Sequence, residues 1–338
     1  MKIAYVHDWL IYPWWAEKVF FDIVKGKMKE VFDKNKYNIK EEKIFTNFHN
    51  TNYKNPTNIP IESVISSKKI QNYYRNLMPF FPIITKKLSK KIEKYNPDVI
   101  VISSFAIWKN IDIKCKKILY LHSIMQYIWS HYDEYLKKFS WIKKILYKTS
   151  ASYLRKWDKK YTDFDNFFFN SNYTKNVFNK TYNKNINWEV IYPLVEIPNF
   201  KKVDIYKKYN IKGEYYIYIW RLVKFVKHVD KIIKIFNKTW KQLIIVWNGP
   251  DEKYLKSIAK NNIKFLWYIP NTADEYWNLL QKSTALVNLT KESFWIVNYQ
   301  AWKIWTKIIS LNHWAIKEIP WEKILIEKFE DLEKIIWK

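Results

Sequence analysis

The sequence predicts an α/β protein built from two doubly wound, parallel-sheet domains, and three observations carry that reading. The chain opens as strand, turn and helix, with an apolar strand over residues 2–6 and a helical pattern over 15–29. Short apolar runs then alternate with helical patterns, a rhythm that implies parallel strands joined by right-handed crossovers. That rhythm halts over residues 193–214, a polar, irregular stretch holding Pro193, Pro198 and Gly213, and then restarts. The expected architecture is an N-terminal Rossmann-like domain over 1–195 and a second over 196–338, facing a cleft. Ligands in such sheets bind beyond the carboxyl ends of the strands.

In the first half the apolar runs place further strands at 43–46, 98–103, 117–122, 166–169 and 189–192, with helices at 142–160 and 174–180. In the second half strands are expected at 215–219, 242–246, 263–266, 284–289 and 307–311. Helices at 227–237, 252–260, 273–282 and 296–303 fill the intervals. Between residues 73 and 91 aromatics alternate with bases, from Tyr73-Tyr74-Arg75 through Phe80-Phe81 to Lys86-Lys87 and Lys90-Lys91. That stretch suits either an anionic bilayer surface or a partly buried helix pair with a solvated basic face.

Hydrophobic residues make up 48% of the 338, enough for real cores, so a disordered chain is excluded. The chain has 3 Gly and 19 Trp, which together approach the roughly 24 glycines that ordinary usage would give. Many of these Trp stand where turns want a residue without Cβ, as in Pro13-Trp14-Trp15-Ala16, Val246-Trp247-Asn248-Gly249-Pro250 and His313-Trp314-Ala315. The pattern is the one expected of a gene in which UGA encodes glycine but is translated as Trp, a truly Trp-rich protein being the alternative. Trp9, Trp129 and Trp157 read as genuine, while Trp108, Trp188 and Trp277 are ambiguous.

The formal charge is +27, from 59 basic and 32 acidic residues. It favours anionic lipid headgroups or phosphorylated substrates. Nucleic acid is the rival partner, but no recognised nucleic-acid module is present. The single Cys115 excludes an internal disulfide framework and fits a reducing compartment. No apolar run approaches the 18 or so residues of a membrane span. His7 and Asp8 interrupt the first apolar stretch, which argues against a signal peptide. A cytoplasmic protein resting on the inner face of the plasma membrane is expected.

Several stretches carry chemistry. His7-Asp8-Trp9-Leu10 follows the first strand and leads to Pro13-Trp14-Trp15-Ala16-Glu17-Lys18, a turn into a helix. With glycine at 14 and 15, such a turn lets backbone N–H groups and the helix dipole meet a phosphate. Leu121-His122-Ser123-Ile124-Met125-Gln126-Tyr127-Ile128-Trp129 closes another strand and sets His122 at its end. Asn170-Ser171-Asn172-Tyr173-Thr174 has helix N-cap chemistry. Trp220-Arg221-Leu222-Val223 with Lys227-His228-Val229-Asp230 supplies a planar fork and a point charge, two cations suited to a leaving diphosphate. Glu292-Ser293-Phe294-Trp295-Ile296-Val297-Asn298-Tyr299-Gln300 joins a carboxylate, an aromatic and a carboxamide, as a site gripping a polyol requires.

In this order the stretches resemble the motifs of glycosyltransferase family 4, retaining sugar transferases of the glycosyltransferase B fold. The last one resembles that family's E-x-F-G-I-(x)3-E signature, with Trp295 in place of Gly and Gln300 in place of Glu. The others resemble its H-D-W, G-G-x-E, C-H-x-P-M-R-Y-x-W, N-S-x-x-(T/V), V-I-Y-P-P-V, G-R-L-V-x-x-K-x-x-D, V-G-x-G-P-E and F-L-G-Y-V elements. Here Ile124 and Gln126 replace Pro and Arg, and one extra residue separates Arg221 from Lys227. The resemblance covers nearly the whole chain, although relatives continue past 331–334 into a further helix, so a shortened C-terminus is expected.

The resemblance implies roles. His122, Arg221, Lys227 and Glu292 would be catalytic. Trp14, Trp15, Glu17, Trp220, Phe294, Trp295, Ile296 and Gln300 would line the nucleotide-sugar site, Gln300 reaching the ribose through its carbonyl. No cofactor or metal is implied. The donor expected is GDP-mannose, with a UDP-sugar open, and the acceptor is lipid-linked or a polysaccharide. A non-catalytic membrane- or glycan-binding protein on the same fold is the alternative.

Overall fold

The computed structural model describes the chain except residues 108, 112, 161–163, 291–293, 295, 313 and 338. It divides into two compact units, Met1–Leu194 and Val195–Lys338. The first holds β1 (Lys2–Leu10), α1 (Trp15–Val24), β2 (Glu41–His49), β3 (Ile61–Ser66), α2 (Phe81–Tyr95), β4 (Val99–Ser104), β5 (Lys116–Leu121), α3 (Tyr132–Lys138), α4 (Trp141–Asp158), β6 (Asn166–Phe169) and α5 (Asn172–Tyr182). Its six strands run in the order β3-β2-β1-β4-β5-β6, each pairing parallel.

Strand periodicity explains why both faces of this sheet are covered. Ile3 and Tyr5 of β1 point to one side, into a cluster with Val19, Phe20, Ile23 and Val24 of α1. Ala4 and Val6 point to the other, into a cluster with Leu88 and Ile92 of α2, Ala151 and Leu154 of α4 and Phe178 of α5. β4 is buried along its whole length. Ser171 caps α5, its Oγ accepting from the Thr174 N–H at 3.1 Å.

The second unit holds α6 (Ile205–Tyr209), β7 (Tyr216–Ile219), α7 (Lys224–Lys227), α8 (Val229–Thr239), β8 (Leu243–Val246), α9 (Glu252–Ile258), β9 (Ile263–Leu266), α10 (Asp274–Gln281), β10 (Ala285–Asn288), α11 (Ile296–Lys303), β11 (Ile308–Leu311), β12 (Lys323–Ile326) and α12 (Phe329–Trp337). Its sheet runs β12-β11-β10-β7-β8-β9, again parallel throughout. The two units therefore share one topology, in which the strand order reverses beside the first strand.

The expected α/β class and doubly wound parallel sheets are present, and several elements differ in extent. β1 runs on to Leu10, so His7, Asp8 and Trp9 finish a strand rather than start a loop. β3 and β12 add a sheet edge to each unit that the apolar runs did not mark. The strand expected at 189–192 reduces to one bridge, Phe169 to Val190. The helix expected at 227–237 is split by His228, at φ 53°, between α7 and α8.

Helix ends carry a further regularity. Asn96, Asn183 and Asn210 close α2, α5 and α6 in the left-handed region, and Trp240 closes α8 the same way at φ 55°. Trp305, just beyond α11, has φ 65°, and Trp247, just beyond β8, has φ 142°. Trp14 instead has φ −83°, ordinary for the N-cap of α1. Among the described residues no helix is long and apolar enough to cross a membrane.

Candidate active site

In the first unit the strand order reverses between β1 and β4, and the polar side chains gather at the carboxyl ends of these two strands and of β5. Asp8 is fully buried, and its carboxylate accepts from the backbone N–H groups of Phe105, Ala106 and Ile107 at 2.6, 2.9 and 2.8 Å. Such a ring of donors makes the charge tolerable in the interior and fixes the loop that follows β4. His7 Nδ1 bonds the Ser103 carbonyl oxygen at 2.8 Å, and Ser103 Oγ bonds His122 Nε2 at 2.7 Å.

His122 is buried at the end of β5, and its Nδ1 finds no hydrogen-bond partner. Burial, then the neighbouring His7, hold its pKa well below the usual imidazole range, so the ring is neutral at physiological pH. Trp15 lies edge-on to the His122 ring at 5.2 Å between centroids. Trp14 stacks on Tyr12 at 4.6 Å. Glu17, in the first turn of α1, is buried with neither carboxylate oxygen in a hydrogen bond of good geometry. Burial pushes its pKa up to about 8, Asp8 adds to the rise, and backbone N–H groups of Glu17 and Trp14 oppose it. His7, Trp15 and His122 are thus brought together, with Glu17 buried near Asp8. A carboxyl kept neutral and two neutral imidazoles suit hydrogen bonding to hydroxyl groups.

In the second unit the order reverses between β7 and β10. Trp220, buried against Tyr218, directly follows β7, and Arg221 and Lys227 come on the next loop and α7. The turn after β8 braces that loop. Leu222 N–H donates to Asn248 O at 3.1 Å, Asp251 N–H to Leu222 O at 3.2 Å, and Lys224 N–H to Asp251 Oδ2 at 2.8 Å. Gly249 lies so close beneath that a Cβ there would stand 2.4 Å from Leu222 O, a contact only glycine avoids. The sequence marks this turn by its resemblance to the V-G-x-G-P-E element, and the structure shows that Gly249 and Asp251 position the Arg221 loop.

Lys227 is partly buried at the end of α7. That burial first, and the positive charge of Arg221 second, lower its pKa to about 7. Two cations held near each other at a switch point form a site whose electrostatic complement is a polyanion.

The stretch after β10 is only partly described, and Glu292 and Trp295 lie outside the described residues. Phe294 is buried and stacks on Tyr299 at 4.8 Å, and Ile296 begins α11. Gln300 is buried too, and its Oε1 accepts from the Tyr276 hydroxyl at 2.6 Å. This is the oxygen expected to meet a ribose, and the Tyr276 hydroxyl fixes its orientation. Asn298 Oδ1 accepts from Asn288 Nδ2 at 3.1 Å, tying α11 back to β10.

Neither a family model nor a curated protein matches the sequence. Solved structures do match the fold. The Anabaena protein Alr3699/HepE, in complex with UDP and glucose, is similar with a TM-score of 0.64 at 13% identity, over 100% of this chain and 89% of that one. WaaG, a glycosyltransferase involved in lipopolysaccharide biosynthesis, is similar with a TM-score of 0.68 at 12% identity, over 99% and 89%. The sucrose-phosphate synthase of Thermosynechococcus elongatus is similar with a TM-score of 0.66 at 12% identity, over 99% and 88%. The fold is the glycosyltransferase B fold.

Proposed function

We propose that the chain is a retaining glycosyltransferase that moves a sugar from a nucleotide donor to a lipid-linked or polysaccharide acceptor. The observation that carries this reading is the pair Arg221 and Lys227 at the switch point of the second sheet, with the cation of Arg221 helping to depress the Lys227 pKa to about 7. A nucleoside diphosphate is the polyanion whose charge this pair complements. In the reaction the bond between the sugar C1 and the diphosphate oxygen breaks, and a bond from C1 to the acceptor oxygen forms on the same face. The acceptor proton passes to the departing diphosphate, whose growing charge Arg221 and Lys227 stabilise. His122, neutral and with a free Nδ1, would hydrogen-bond a hydroxyl of the donor sugar. Glu292, by its place in the motif, would hold others.

GDP-mannose is the donor favoured by the His-Asp-Trp and His-Ser-x-Met-x-Tyr segments. The complex of the similar Anabaena protein with UDP-glucose keeps a UDP-sugar as the second candidate. The same reading places the protein against an anionic membrane surface, where a lipid-linked acceptor resides.

A donor site of this kind also needs Trp14, Trp15, Trp220, Trp247 and Trp295 to be glycine in the native protein. Left-handed φ at Trp240, Trp247 and Trp305 supports that view, as does the indole of Trp15 against His122. Other Trp behave as true indoles: Trp129 donates to Asp158 at 2.7 Å, and the fully buried Trp277 donates to Asn271 O at 2.7 Å.

Arg221→Ala tests the activity. Donor turnover should collapse by about a hundredfold or more while the fold persists. Turnover equal to the parent would favour the non-catalytic binding protein instead.

A further inference from the structure

We infer that the N-terminal half of α4 is a docking surface for an anionic phospholipid bilayer. The helix has two apolar faces. Tyr147, Ala151 and Leu154 are buried on one, and Ala151 and Leu154 join the core of the first sheet. On the opposite face Trp141, Ile142, Ile145 and Leu146 recur at the spacing of one helical surface and stand 72%, 56%, 55% and 63% exposed. Four large apolar side chains in two turns of one solvated helix are a patch that a water-facing surface does not need. Farther along the same face the exposed side chains are Thr149, Ser152, Tyr153 and Lys156, of which only Tyr153 is a large aromatic and it carries a polar hydroxyl. The apolar character is concentrated at one end of the helix.

The charges around this patch fit lipid headgroups. Lys143 borders it on one side, Lys144 and Lys148 on the other. The helix has one acidic residue, Asp158, which is buried in an ion pair with Lys109 at 3.0 Å. No carboxylate on α4 therefore opposes an anionic surface. The 3₁₀ segment Tyr74–Phe80 packs against α4 and leads into α2. At this junction lies a second apolar pair, Phe80 at the end of the segment and Ile83 in α2, each more than half exposed, with Lys86, Lys87 and Lys90 exposed on α2. An amphipathic helix rimmed by lysines binds the headgroup layer without crossing it, through apolar burial and attraction to anionic lipid. α4 is not apolar enough to span.

The inference rests on the membrane-proximal reading above and names the surface that performs it. The test is cosedimentation of the full chain with phosphatidylcholine vesicles, with and without about a third phosphatidylglycerol. The parent should pellet with the anionic vesicles alone. Trp141→Ser, Ile145→Ser and Leu146→Ser combined should lower that binding by about tenfold or more. Their circular dichroism melt should not change, because all three side chains are exposed. Lys143→Gln, Lys144→Gln and Lys148→Gln should each lower it by about fivefold at low salt. If the triple serine variant pellets like the parent while Phe80→Ser with Ile83→Ser does not, the membrane reading stands and α4 is the wrong surface. If the parent pellets with neither vesicle, the membrane reading itself fails. If the triple variant instead loses self-association in sedimentation velocity, with no vesicle binding by the parent, α4 is an interface between copies and the inference is overturned.

Discussion

Lys227 carries the most chemical information of any single side chain here, because its charge state near neutrality is set by its surroundings. Its pKa falls to about 7 through burial and then through Arg221. A bound diphosphate would favour the ammonium and raise that pKa again, so binding near pH 8 must take up a proton. Affinity for UDP or GDP should be highest below pH 7 and weaken by up to about tenfold per pH unit above it, until the raised pKa is passed. Calorimetric titration between pH 6 and 9 measures this, and Lys227→Met should give weak binding with a flat profile. A second prediction concerns Trp240 and Trp305, which hold left-handed φ and are 63% and 75% exposed. Trp240→Gly and Trp305→Gly should each stabilise the chain by about 1 kcal/mol, read as a higher denaturant midpoint. Glycine starvation at turns was visible in the composition, and the φ angles give that impression a physical location. Gln300 was less readable: a carboxamide in a motif says nothing of Tyr276, which lies 24 residues away in sequence and donates to its oxygen.

Asp158 shows how one helix end organises its neighbours. Its carboxylate meets Lys109 at 3.0 Å, Asn110 Nδ2 at 3.2 Å, Trp129 Nε1 at 2.7 Å and the Tyr182 hydroxyl at 2.5 Å, and both Lys109 and Asp158 are buried. Removing either charge strands the other in the interior, so Lys109→Met or Asp158→Asn alone should cost about 3–5 kcal/mol of stability. The double replacement Lys109→Met with Asp158→Leu should recover much of that loss, which equilibrium urea unfolding would reveal. Burial depresses the Lys109 pKa against the pull of Asp158, so the unfolded chain holds that proton more tightly and this group's contribution to stability rises, not falls, as the pH climbs toward the ordinary lysine pKa. The turn after β8 is the corresponding brace in the second sheet. Gly249→Ala should displace the loop of Arg221 and weaken nucleotide binding by about tenfold, with less effect on the melt. Strands buried on both faces announced themselves as apolar runs. β3 and β12 did not, because edge strands such as Ile61–Ser66 are only partly covered and carry polar residues freely. The run at 189–192 looked like a strand, yet only Val190 finds a bridge partner. Hydrophobic pattern reports burial, and pairing depends on what lies alongside.

The molecule repeats one solution twice: a parallel sheet whose strand order reverses beside its first strand, with the polar side chains at the carboxyl ends there. That topology follows from the β/α rhythm and the handedness of crossovers, which is why the fold class could be read from the chain. The site was readable only in part, since sequence motifs nominate residues while partners such as Ser103, Gly249 and Tyr276 come from distant segments. The most direct test of the account uses the purified chain carrying Trp14→Gly, Trp15→Gly, Trp220→Gly, Trp247→Gly and Trp295→Gly. Release of nucleoside diphosphate from GDP-mannose and from UDP-glucose would be followed, with lipids from the native host as acceptor. Donor-dependent release that Arg221→Ala abolishes is the predicted result. No release from either donor, or equal release by the Arg221→Ala variant, would show that this fold serves binding and not sugar transfer.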